Sequence, residues 1–133
     1  MKVLVAEDDV FFRRLLEGIL APNYEIVLAP DGTEAWSALQ RADAPRLAVL
    51  DWVMPGMSGP QVCRKVRQSP ALSSMYLMIL TAKNSSPDVV SGLRAGADDY
   101  VTKPFEPEEL RARVKVGDES CACRTHWNTT RLL

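Results

Sequence analysis

The chain has 133 residues, 47% hydrophobic and 25% charged, with a formal net charge of −1, the dimensions of one ordinary globular domain. With no basic excess to track phosphates, nothing points to binding of nucleic acid or a membrane surface by charge, and no apolar run approaches the ~20 residues of a bilayer span. Only Val3–Ala6 separates Lys2 from the acidic Glu7, Asp8 and Asp9, so no secretion signal is expected and the cytoplasm is the expected compartment.

The elements alternate along the chain. Lys2–Ala6 (KVLVA) reads as a strand. Phe12, Leu15, Leu16, Ile19 and Leu20 then recur at helical spacing over Val10–Leu20. Pro22-Asn23 turns into a second strand, Tyr24–Leu28. Asp31, with Glu34 three residues on, opens a helix to about Ala42. Arg46–Leu50 is the third strand, and Ser58 with Gln61 repeats the capping spacing before a helix to about Gln68. Met75–Leu80 is the most apolar run. Ser86-Pro87 starts a helix ending near Gly96, Asp98–Thr102 is a fifth strand, and Pro107 opens a last helix to about Val116. The first, third and fourth strands barely alternate, as expected of a parallel sheet covered on both faces. The predicted fold is therefore a doubly wound α/β sandwich of five strand–helix pairs.

Open α/β sheets bind ligands beyond the carboxyl ends of their strands. The first strand ends in Glu7-Asp8-Asp9, the third in Asp51, the fourth in Thr81, and the fifth is followed by Lys103. Like charges ~4 Å apart repel by about 4 kcal/mol at an effective dielectric near 20. A hard cation with oxygen ligands relieves this, and Mg²⁺ suits a pair of carboxylates with a carbonyl and waters. Asp51 is then placed to be a phosphoryl acceptor, with Lys103 and the Thr81 hydroxyl meeting phosphoryl oxygens.

These residues stand in stretches that resemble the receiver domain of two-component response regulators: "LVAEDD" at 4–9, "LDWVMPGMSG" at 50–59, "ILTA" at 79–82 and "GADDYVTKPF" at 96–105. The resemblance covers about residues 1–116. It implies a flavodoxin-like sheet of order 2-1-3-4-5 with five helices. It makes Asp51 the acceptor of a phosphoryl group from the phosphohistidine of a sensor histidine kinase or a phosphotransfer protein, in a signalling switch rather than an enzyme. Glu7 and Asp8 correspond to the metal-binding pair, with Asp51 and the backbone carbonyl of Val53 completing the protein ligands to Mg²⁺. Thr81 is the switch hydroxyl and Tyr100 its aromatic partner, altering the face of the fourth helix, fifth strand and fifth helix. That face would be read by partners or by a second receiver in a homodimer. Lys103-Pro104 matches the family's cis peptide. Val53 and Lys83 occupy positions that tune phosphoryl lifetime, and an apolar Val53 implies a long-lived group.

Other readings stand beside these. A haloacid dehalogenase-type aspartyl-phosphate hydrolase shares the nucleophile, but it wants a second acid where Val53 stands. A flavin or nucleotide binder wants a Gly-rich loop where the first acids stand. Tyr100 as a half-buried edge aromatic needs no function, and Asp9 reads as a helix cap. Phe11 and Phe12 are expected in the core, Trp52 partly covered, and Arg13-Arg14 and Arg64-Lys65 on solvated helix faces. From Gly117, "GDESCACRTHWNTTRLL" has no period, so the domain is expected at 1–117 with a tail at 118–133 that is irregular or the start of a linker. Cys121, Cys123 and His126 in that tail match none of the common zinc spacings.

Overall fold

The computed structural model describes residues 1–82 and 86–132, the side chains of 86 and 121–132 excepted. The chain runs β1 (Lys2–Ala6), α1 (Val10–Leu20), β2 (Glu25–Ala29), α2 (Gly32–Leu39), β3 (Leu47–Asp51), α3 (Gly59–Gln68), β4 (Tyr76–Thr81), α4 (Ser86–Arg94), β5 (Asp99–Thr102) and α5 (Pro107–Leu132). All strand pairs are parallel, in the order β2-β1-β3-β4-β5. The predicted elements are all present. Most boundaries differ by a residue or two, and α2 ends earlier, at Leu39.

Alternation within the strands divides the core. Leu4, Ala48, Leu50, Leu77 and Ile79 pack with Ala35, Leu39, Val62 and Val66 of α2 and α3. Val3, Val5, Leu47, Val49, Met78 and Leu80 pack with Leu16, Ile19, Leu110 and Val114 of α1 and α5. Because both faces are covered, every residue of β3 and β4 is buried, which explains the near-continuous apolar runs.

Local chemistry sets the helix starts that place the site. Asp9 caps α1, its side chain accepting from the backbone N–H groups of Phe11 and Phe12 at 2.8 and 3.4 Å. Asp31 accepts from Glu34 N at 2.8 Å. Ser58 and Gln61 form a reciprocal capping box.

Two expectations are corrected. The last helix does not stop near Val116: α5 continues to Leu132, where an irregular tail at 118–133 is expected from the sequence, position 133 lying outside the described residues. Gly117 is no break. It is buried, and a Cβ there would lie 2.8 Å from Leu47 and Tyr76. The glycine lets the helix press onto the sheet, and no proline follows Pro107 to end it. Phe11 and Phe12, expected in the core, lie outside both core clusters; Phe11 is 70% exposed and Phe12 is half-buried. The stripe that α1 buries is Leu16, Ile19 and Leu20, one turn further from the sheet's carboxyl edge.

Candidate functional site

The parallel register brings the chemistry to one edge. Asp51 is the last residue of β3 and pairs with Leu80, so Thr81 ends β4 one step beyond it. Thr81 pairs with Thr102, and the next residue, Lys103, donates its backbone N–H to Thr81 O at 2.7 Å. Glu7 follows β1, its backbone N–H donating to Ala29 O at 3.1 Å. The loop after Asp51 is tied down by Trp52 N to Leu80 O (3.3 Å) and Gly59 N to Trp52 O (2.9 Å). The Lys103-Pro104 peptide is cis.

Glu7, Asp8 and Asp51 each offer a carboxylate oxygen, and these lie within 4.8 Å of one another. Glu7 and Asp51 are buried and Asp8 is exposed at the rim. The Lys103 ammonium sits among them, 2.8 Å from Glu7 Oε2 and 3.2 Å from Asp51 Oδ1, with its side chain 14% exposed. The other Glu7 oxygen accepts from Asp9 N at 3.1 Å. Thr81 is 3% exposed at the same edge. Tyr100 lies half-buried on β5, its ring edge-on to Trp52 at 6.2 Å between centroids. A Cβ on Gly92 of α4 would come within 3.0 Å of that ring.

Burial pushes the carboxyl of Glu7 above its ordinary range, and the Lys103 hydrogen bond offsets this only in part. Burial likewise raises Asp51 against the pull of Lys103. For Lys103, burial alone would lower the ammonium's pKa, but the Glu7 hydrogen bond and the Asp51 charge outweigh it and raise it. Three carboxylates face one ammonium, which leaves two negative charges at full ionisation. A divalent, oxygen-seeking cation matches both that excess and the donor set, so the residues fit Mg²⁺.

The sequence-predicted residues Glu7, Asp8, Asp51, Thr81 and Lys103 are thus brought to one edge, and Asp9 serves as the α1 cap. The side chain of Val53 is 64% exposed. Lys83, and the side chains of Cys121, Cys123 and His126, lie outside the described residues. Cys63 is buried, its thiol pushed up to about 12 by burial, which leaves it an inert core residue.

Two contacts escaped sequence reasoning. The Lys103 ammonium lies over the Phe12 ring, 4.3 Å from its centroid. Arg13 is not merely solvated: its Nη1 donates to the backbone carbonyl of Glu7 at 3.1 Å. Both belong to the first turn of α1, which starts directly after the acids, and that position was the available signal.

A family model described as the response regulator receiver domain matches residues 3–115. The "Probable transcriptional regulator ycf27" of Cyanophora paradoxa is 44% identical over 115 residues, covering 86% of this chain and 46% of that protein. The DNA-binding response regulator MtrA of Mycobacterium tuberculosis is 42% identical over 116 residues, covering 86% and 49%. The chain thus spans about half the length of the curated relatives it matches. The crystal structure of the receiver domain of sensor histidine kinase PA1611 from Pseudomonas aeruginosa, described with a magnesium ion coordinated in its active-site cleft, superposes with a TM-score of 0.78 at 26% identity, covering 87% of this chain and 95% of that one. Matches of this kind give the flavodoxin-like fold and no support to the dehalogenase alternative.

Proposed function

The chain belongs to the response regulator receiver domain family, and from that premise we propose that it is a phosphorylation switch with Asp51 as the phosphoryl acceptor. The observation that carries this is the cluster of Glu7, Asp8 and Asp51 oxygens within 4.8 Å, gripped by Lys103. The Asp51 carboxylate attacks the phosphorus of a phosphohistidine on a sensor histidine kinase or phosphotransfer protein. An O–P bond forms, the P–N bond breaks, and the histidine nitrogen leaves with its electron pair.

Glu7, Asp8, Asp51 and the backbone carbonyl of Val53 would hold Mg²⁺. When bound, the ion supplies charge neutralisation for the incoming phosphoryl oxygens. Lys103 is a hydrogen bond away from Asp51 and meets a second phosphoryl oxygen. The Thr81 hydroxyl meets a third and draws β4's end inward, and Tyr100 turns with it. The face built by α4, β5 and α5 changes as a shift between two packings, which a downstream partner or a second receiver would read.

The receiver unit is taken as residues 1–117, regulatory rather than enzymatic, assisting only its own phosphorylation and dephosphorylation. Relatives named as transcriptional and DNA-binding regulators are about twice as long as the match, so an output module of that class is the counterpart proposed for this receiver. No nucleic acid contact is assigned to residues 1–117. Among the described residues no helix is long and apolar enough to cross a membrane, and a cytoplasmic location is proposed. The apolar, exposed Val53 side chain cannot orient an attacking water, so a long-lived phosphoryl group is part of the proposal.

Mg²⁺-dependent labelling by acetyl phosphate tests the assignment. The parent chain should take up one phosphoryl group and Asp51→Ala none. Equal labelling of both would overturn it.

A further inference from the structure

Lysine is a poor device for fixed placement. Its ammonium is a compact charge on a flexible four-carbon stem with three donors that point wherever acceptors lie. At this site two directions are claimed by Glu7 Oε2 and Asp51 Oδ1, at 2.8 and 3.2 Å. A third side is covered by the face of Phe12, with the ammonium 4.3 Å from the ring centroid. That is well inside the ~6 Å reach of a cation–π contact.

Core packing does not explain why Phe12 is there, since it lies outside both core clusters. Local structure does. The Asp9 side chain accepts from the N–H of Phe12 itself and of Phe11, at 3.4 and 2.8 Å, and so fixes the first turn of α1. The Phe11 ring meets the Phe12 ring nearly at right angles (81°), with centroids 5.6 Å apart, and packs against it. The turn that carries the aromatic face is therefore fixed by the Asp9 cap and not by Asp51 or Lys103.

We infer that Phe12 is a positioning residue for phosphoryl transfer: with Glu7, its ring face holds the Lys103 ammonium beside Asp51. This rests on the reading of Asp51 as the acceptor. The need for such a hold follows from the reaction. Phosphorylation turns the Asp51 carboxylate into an acyl phosphate, which removes its charge and places negative charge further out, on the phosphoryl group. An ammonium held by carboxylates alone would shift between Glu7 and the incoming group as that charge moves. A ring face carries no net charge, does not change during the step, and keeps Lys103 at the mouth of the pocket.

The test combines contact and kinetics. In metal-free protein, the Lys103 methylene protons next to the ammonium should show an upfield ring-current displacement by NMR, lost in Phe12→Leu. Acetyl phosphate labelling with Mg²⁺ should slow about three- to tenfold in Phe12→Leu, while Phe12→Trp keeps the parent rate, as expected for loss or retention of a cation–π contact. Replacing Phe12 by mono-, di- and trifluorophenylalanine keeps shape and folding but withdraws charge from the ring face, so the rate should fall stepwise. A structural filler would give no such trend. A flat series with folded protein, or absence of the ring-current displacement, overturns the role of Phe12 and leaves the acceptor reading intact. Undiminished labelling of Asp51→Ala would instead overturn the acceptor reading, and the kinetic role of Phe12 with it.

Discussion

Asp51 is held in a state that resists ionisation. Burial is the main cause, and Lys103 only partly compensates, because the same ammonium also serves Glu7. Removing the charge should therefore stabilise the metal-free fold. Asp51→Asn is expected to gain about 1 kcal/mol at pH 7 in EDTA by urea unfolding, an ordinary single-site magnitude. The pH dependence has a definite sign. Glu7 and Asp51 have ordinary values of 4.5 and 3.8, both raised in the fold. Below those ordinary values both groups are protonated folded and unfolded, and the repulsion is absent. As pH rises past them the unfolded chain ionises first, so this part of the stability declines until the folded groups ionise too. The advantage of Asp51→Asn should accordingly shrink toward pH 4. An advantage that does not change with pH would assign it to something other than ionisation.

At the scale of elements, the far end of the sheet carries its own fastening. Arg67 at the end of α3 donates to Asp98 Oδ2 at 2.6 Å, to Gly96 O and Ser73 O at 2.9 Å, and to Met75 O at 2.6 Å. Asp98 in turn accepts from Leu77 N at 2.9 Å. Gly96 makes room for this: its φ is +119°, and a Cβ would strike Arg67 Cγ at 2.5 Å. One guanidinium thus ties α3, the α4–β5 turn and the start of β4 together. Arg67→Ala should destabilise by about 2–3 kcal/mol, since it takes the guanidinium from a partly buried carboxylate and a donor from three carbonyls. Chemical denaturation measures this, and a loss below 0.5 kcal/mol, the scale of a neutral surface change, would refute the fastening. Helix starts were legible because a cap acts over three residues, as at Asp9 and Ser58. The continuation of α5 was not, because Gly117 earns its place from Leu47 and Tyr76, which lie far away in sequence.

For the whole molecule, the proposed metal site would make folding and Mg²⁺ binding one equilibrium. An ion that binds only the folded cluster adds about 2.7 kcal/mol at a concentration one hundred times its dissociation constant. Titrating Mg²⁺ should raise the melting temperature in the parent and leave Glu7→Gln/Asp8→Asn almost unmoved. A parent whose melting is indifferent to Mg²⁺ would remove the metal from the proposed function. The strand order was implied by the resemblance to the receiver family; the alternation of strands and helices, the arrival of Glu7, Asp8, Asp51, Thr81 and Lys103 at strand ends, and the capped helix starts follow from the sequence by itself. The reason is that apolar period, caps and strand-end chemistry are properties of neighbours along the chain. The Phe12 face over Lys103, the Arg13 hold on Glu7, the Arg67 fastening and the run of α5 were decided only by tertiary structure. Each depends on groups from separate elements meeting in space, and one-dimensional spacing carries no measure of those distances.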